Sequence, residues 1–106
     1  MNRTKRVKHQ ERTVALDLGG KRQPGSGSAW YAKGDVKTPK YLVECKQTEK
    51  ESYSLKLSIL RKIEEESCRA GKEALLQVTF IEPGRQSQYM VVPYHLFLQL
   101  TGEGGE

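Results

Sequence analysis

A chain of 106 residues with 36% hydrophobic content can build one modest core and not two. Its 18 Lys and Arg against 13 Asp and Glu give a formal charge of +5, which favours a polyanionic partner, most often nucleic acid. Two cysteines make neither a disulfide framework nor a zinc site, and no apolar run has membrane-spanning length or signal-peptide form, so a soluble, cytoplasmic protein is expected.

The first dozen residues concentrate the excess charge: Arg3, Lys5, Arg6, Lys8 and Arg12 face only Glu11. Residues 1–6 read as a flexible basic arm, open to two uses: a solubilising tail or a phosphate contact. From 7 to 18, Val7, Val14, Ala15 and Leu18 recur at near-helical spacing and Gly19-Gly20 stops them, which predicts a first helix. Gln23 to Ser28 is a loop by composition. Trp30 and Tyr31 anchor a strand over 29–33, and Gly34 to Val36 continues or bends it. Thr38-Pro39-Lys40 makes a turn, and Tyr41 to Gln47 is the clearest early strand. A second helix is predicted from near Ser54, with Leu55, Ile59, Leu60, Ile63, Ser67 and Ala70 on one face and Gly71 as its stop. Leu75 to Ile81 reads as a strand covered on both faces. Glu82 to Arg85 turns the chain, Tyr89 to Val92 returns as a hairpin partner, and Pro93 opens a last helix through Leu100, before a frayed tail over 101–106. The order is helix, two or three strands, helix, two strands, helix, in one domain: an α/β sandwich with a mixed central sheet.

The chemistry concentrates in Gly34-Asp35-Val36 and Tyr41-Leu42-Val43-Glu44-Cys45-Lys46. Strand side chains alternate with period two, so Leu42, Glu44 and Lys46 share one face while Tyr41, Val43 and Cys45 share the other. Burying the second face leaves a carboxylate and an ammonium on an open sheet surface. If the segment at Asp35 pairs beside this strand, two carboxylates and a lysine converge. Two carboxylates suit a hard, oxygen-seeking cation such as magnesium. An exposed Glu-x-Lys is equally a common way to solvate a strand face. Cys45 reads as a small buried hydrophobe, and Lys62 as a residue solvating its helix. His9 and His95, without partners at metal-ligand spacing, carry no assigned chemistry.

At these residues the chain resembles the PD-(D/E)xK nuclease superfamily, and more narrowly the small Holliday junction resolvase-like nucleases of archaea and phages. Glu11 matches the glutamate of the family's early helix, and Gly25-Ser26-Gly27-Ser28 its Ser-Gly loop. Gly34-Asp35 matches the first metal carboxylate, Glu44-Cys45-Lys46 the Glu-x-Lys pair, and Thr48 the polar residue two positions on. The usual Pro before the Asp is replaced in Lys33-Gly34-Asp35.

The resemblance implies a restriction-endonuclease-like sandwich, a central mixed β-sheet flanked by helices, and a magnesium-dependent DNA endonuclease in which manganese substitutes. It implies that Asp35 and Glu44 bind one or two ions, that the Cys45 backbone carbonyl adds an oxygen, and that Glu11 completes the site directly or through water. Lys46 then orients the attacking water or stabilises charge at phosphorus. The products are a 5′-phosphate and a 3′-hydroxyl. Arg3, Lys5, Arg6, Lys8, Lys21, Arg22, Ser26, Ser28 and Thr48 are the candidate DNA contacts. Junction DNA is the leading substrate, acted on in the cytoplasm, which for a phage-encoded enzyme is the host's. Paired cuts on a junction need a homodimer, for which Trp30, Tyr31, Phe97 and Leu98 are the candidate contacts. The competing functions are a nicking or repair nuclease on duplex DNA and a catalytically inactive DNA-binding module.

Overall fold

A computed structural model describes residues 3–22 and 35–102. The expected Gly-Ser loop, the strand over 29–33, Ser26, Ser28, Trp30 and Tyr31 lie outside the described residues. The elements run α1 (Arg3–Leu18), β1 (Lys21–Arg22), β2 (Val36–Lys37), β3 (Tyr41–Thr48), α2 (Leu57–Arg69), β4 (Glu73–Glu82), β5 (Arg85–Val91) and α3 (Tyr94–Thr101). The fold is α/β, with helices flanking a five-stranded mixed sheet in the order β1-β2-β3-β4-β5. β3 and β4 pair in parallel, with Glu44 opposite Leu76 and Lys46 opposite Val78, while the other pairs are antiparallel. A parallel pair needs a crossover, and α2 supplies it.

Two apolar clusters form, one on each face of the sheet, which corrects the single modest core expected from composition, because helices cover the sheet from both sides. Val43 and Cys45 of β3 pack with Val36, Leu75, Val14 and Ala15 of α1 and Leu96 of α3. Ala74, Leu76 and Val78 of β4 pack with Ile63 of α2. β4 is therefore buried from Ala74 to Thr79 without interruption, as its apolar run predicts. A polar clamp fixes α1 on its face: the buried Gln10 donates its amide to Gln77 Oε1, to Thr79 Oγ1 at 3.1 Å and to the Lys46 carbonyl at 3.1 Å.

Several boundaries depart from the sequence reading. The basic arm is not an extension before the helix; α1 begins at Arg3 and includes it. Gln47 donates to the Arg6 carbonyl at 2.9 Å and Arg6 Nη1 pairs with Glu49 at 3.1 Å, which ties that first turn to the end of β3. α2 starts at Leu57 rather than near Ser54: Tyr53 and then Ile59 and Leu60 pack on the sheet-side cluster, while Leu55 and Leu57 between them face solvent. Helix α3 takes in Thr101, the first residue of the expected frayed tail. A two-residue strand at Lys21–Arg22 was not legible from so short a polar segment.

The α1–β1 corner is tight. Gly19 adopts φ 67° and Gly20 donates its N–H to the Ala15 carbonyl at 2.8 Å, a left-handed helix stop. A Cβ on Gly20 would stand 2.6 Å from the Lys37 carbonyl oxygen and 2.7 Å from Thr38 Cγ2. Because the closest obstacle is backbone, Gly20→Ala must push β1 from β2. A loss of about 1–3 kcal/mol is expected, as for overpacking in a core, read from the denaturant midpoint. An unchanged midpoint would show that the two short strands slide at no cost.

Candidate active site

Local hydrogen bonding delivers Asp35 to β3. Its N–H donates to the Val43 carbonyl at 3.0 Å, and its Oδ2 accepts the Cys45 N–H at 2.7 Å. The Asp35 carboxylate is buried where β2 begins, fixed to the strand that carries Glu44 and Lys46. Glu11 comes from α1. It occupies the helix's inward stripe, four residues after the half-buried Val7 and three before the buried Val14, and is itself buried.

These carboxylates feel one another. Burial pushes the Glu44 carboxyl above its ordinary value of 4.5, the charge of Asp35 pushes it further, and Lys46 and Lys62 partly offset the rise. Glu11 is likewise raised by burial and by Asp35, while Arg22 and Lys8 pull it down. The Cys45 thiol is pushed up by burial first and then by Asp35, Glu11 and Glu44. Asp35 lies beside the strand that carries Glu44 and acts on both Glu44 and Glu11.

Lys46 Nζ stands 3.6 Å from Glu44 Oε1, with its side chain 42% exposed against 20% for Glu44. This half-wet pair contributes little to stability, so the ammonium remains available to an incoming anion. The face carrying these two residues is not the open surface that strand alternation suggests. Helix α2 crosses it, burying Leu42 and bringing Lys62 and Glu66 towards Glu44. Glu66 is the residue that sequence reasoning missed. It sits beside Ser67 on the buried stripe of α2, three residues after Ile63. An acid on the inward stripe was the available signal.

The proposed DNA contacts divide. Lys5, Lys8 and Lys21 are exposed. Arg22 is only partly so: its Nε donates to Glu11 Oε1 at 2.8 Å, so it serves the carboxylate cluster. Arg6 is engaged with Glu49, and Thr48 Oγ1 accepts the Lys50 N–H at 3.1 Å within a turn. Of Arg3 only the backbone is described. His95 Nε2 lies 3.3 Å from Glu73 Oε2, an exposed contact away from these residues.

Among the described residues, no three side chains of His, Cys, Asp and Glu already converge tightly enough to hold a metal ion. The donor chemistry nevertheless fits a hard divalent cation. Asp35 is a buried carboxylate beside the half-buried Glu44, whose carboxyl it raises, and a cation shared by the two would relieve that. Glu11 shares that field but already holds Arg22. No protein-family model matches the chain, and no curated protein and no solved structure matches it. No helix among the described residues is long and apolar enough to cross a membrane.

The raised carboxyls set a pH dependence. The folded chain binds these protons more tightly than the unfolded chain. Their contribution to stability is full below about pH 4.5 and is lost as pH rises through the raised values. Glu44→Gln is expected to flatten the fall of the thermal midpoint above pH 4.5 and to raise the midpoint at pH 7. A lower midpoint at pH 7 with an unchanged slope would mean that Lys46 and Lys62 overcompensate the burial of Glu44.

Proposed function

We propose that the chain is a magnesium-dependent DNA endonuclease of the PD-(D/E)xK kind, with a restriction-endonuclease-like sheet and branched, junction DNA as its substrate. The observation that carries the reading is the convergence of Asp35 with Glu44 beside Lys46, three elements of charge brought to one strand by the Asp35–Cys45 hydrogen bond. Asp35 and Glu44 are the proposed ligands, with the Cys45 carbonyl as a further oxygen and Glu11 at the margin. Bound magnesium would lower the pKa of a water and polarise the scissile phosphate.

The remaining steps fall to the chain's own groups. Exposed Lys5, Lys8 and Lys21 attract the phosphate backbone without reading bases. Lys46 Nζ turns from Glu44 towards the phosphate, where it orients the attacking water and offsets charge gathering on the equatorial oxygens. Water adds to phosphorus, the P–O3′ bond breaks and the 3′-oxygen takes a proton, leaving a 5′-phosphate. A junction requires two such cuts on opposed strands, and one chain of this size offers one such site.

Cleavage of a four-way junction and of a linear duplex in magnesium tests the proposal. Asp35→Asn and Glu44→Gln are expected to abolish cleavage while the fold survives, since neither empties the core. Lys46→Ala is expected to lower the single-turnover rate about 100-fold or more, the scale for a positioned electrostatic group. Persistent cleavage in both carboxylate variants would reject the site. Equal cutting of duplex and junction would leave a nicking or repair nuclease, and binding without cleavage an inactive DNA-binding module.

The phosphate contacts have a separate signature. Removing residues 1–6 would strip the first turn of α1, so charge removal is the cleaner change. Lys5→Ala with Lys8→Ala is expected to weaken all DNA substrates alike and to reduce the slope of log affinity against log salt by about 1.8 for two lost phosphate contacts. An unchanged slope would make these lysines solubilising only.

A further inference from the structure

The first two strands bring like charges together. β1 and β2 pair antiparallel with Lys21 directly opposite Lys37. Side chains so placed stand about 4.5–5.5 Å apart at Cβ, and like charges there destabilise the ladder. Both lysines are exposed, and neither is in an ion pair among the described residues. Residues 23–34, between the two strands in sequence, contain no Asp or Glu and one more cation, Lys33. One charge in such a position is enough to solvate a strand pair. A Thr or Gln opposite it would serve without repulsion.

The register fixes the face that the pair occupies. Arg22 and Val36, the next residues on each strand, turn towards α1: Arg22 meets Glu11, and Val36 packs with Val14. Alternation puts Lys21 and Lys37 on the other face. Lys37 pairs with Leu42, and Glu44 and Lys46 share the face of Leu42. Along β3 the order on this face is therefore the row of the two lysines, then Glu44 with Asp35 beside it, then Lys46. Each step is two residues, about 7 Å at the rise of an extended strand. Cations thus flank the carboxylates on both sides. Lys5 and Lys8, in contrast, ride on the helix that covers the reverse face.

We infer that Lys21 and Lys37 together grip the phosphate backbone of the nucleic-acid strand on the carboxylate face, two nucleotides to one side of the acids. Two ammonium groups held side by side with no acid between them repel, and one phosphate shared by both ends that repulsion through charge-assisted hydrogen bonds. The plus, minus, plus order selects a continuous polyanion over a single anion. A backbone seated on Lys37 and on Lys46 spans the two cations and must pass a phosphate over Asp35 and Glu44. The 7 Å step from Lys37 to the acids corresponds to about two nucleotides at ~3.4 Å each. Such contacts set register and orientation and read no bases. This inference rests on the DNA-binding part of the proposed function and not on its metal chemistry. It adds Lys37 as a contact, and it gives Lys21 a partner and a place along the strand.

Two measurements on the same variants test it: anisotropy of a labelled duplex across a salt series without divalent cations, and thermal unfolding of the free protein. Lys21→Gln and Lys37→Gln are each expected to reduce the slope of log affinity against log salt by about 0.9, or about an eightfold loss of affinity on going from 1 M to 0.1 M salt. Without DNA, each is expected to raise the low-salt thermal midpoint. The double variant is expected to gain less than the sum, because either change alone ends the repulsion. Lys56→Gln removes the same charge at an exposed position before α2 and is expected to leave the affinity nearly unchanged. Binding by both lysine variants that is as tight as that of Lys56→Gln overturns the inference. So does a lowered midpoint in both single variants, which would mean that the fold itself relies on the two charges. A parent that binds anionic lipid vesicles but no duplex overturns it as well. Binding without metal and cleavage with it are read separately. A parent that holds duplex through both lysines but never cuts rejects the nuclease reading alone, and a cutting parent indifferent to both rejects this inference alone.

Discussion

β3 has a partner along each edge, and the site depends on that placement. On one side it pairs in parallel with β4 for its whole length. On the other, β2 pairs only as far as Val36–Val43, after which the Asp35 side chain replaces a backbone acceptor and takes the Cys45 N–H. A side-chain carboxylate in a ladder position satisfies a buried donor that would otherwise cost about 1–3 kcal/mol unpaired. It also fixes a negative charge one residue from Glu44. The same bond thus closes the sheet and brings the second carboxylate to the first. Moving β2 by one residue would break both, which is why the tight corner at Gly20, against Lys37 and Thr38, belongs to the site as much as to the fold.

The second anchor is Gln10. An all-apolar contact between α1 and the sheet would tolerate sliding, because hydrophobic contact is not directional. The hydrogen bonds from Gln10 to Gln77, Thr79 and the Lys46 carbonyl are directional, and they bridge β3 and β4 on the face opposite Glu44. They fix the rotation of α1, and therefore the direction of Glu11, the next residue. Arg22 completes this arrangement from β1, pairing with Glu11 so that a buried acid is not left alone. The proposed DNA contact at Arg22 and the proposed metal role of Glu11 thus compete for the same pair of side chains. The geometry gives priority to their mutual bond.

What the sequence disclosed follows from the range over which each signal acts. Alternation along Tyr41–Lys46 is a local property, and it correctly sorted Val43 and Cys45 into the core. The uninterrupted apolar run in β4 correctly implied cover on both faces. The pairing of Asp35 beside Glu44 was legible because both lie on either side of one short turn. The cover over Glu44 was not, since it depends on where α2 lands after a crossover. Glu66 and Lys62 reach the site from a distance that no local pattern encodes. The start of α1 was misplaced for a related reason: a run of Lys and Arg has no apolar periodicity, and its first turn is held by Gln47 and Glu49 at the far end of β3.

The distribution of charge then separates the molecule into sectors with different uses. Glu11 and Glu44, both raised by burial and by Asp35, carry a cost in ionisation that a stability-optimised fold would avoid by neutral substitution. Exposed cations lie on α1 and β1, the elements nearest Glu11 and Arg22. Far along the sheet, β5 and α3 carry almost none. A polyanion drawn to the first two elements would meet the carboxylates only across an intervening positive counter-charge, part of which Lys46 and Lys62 provide.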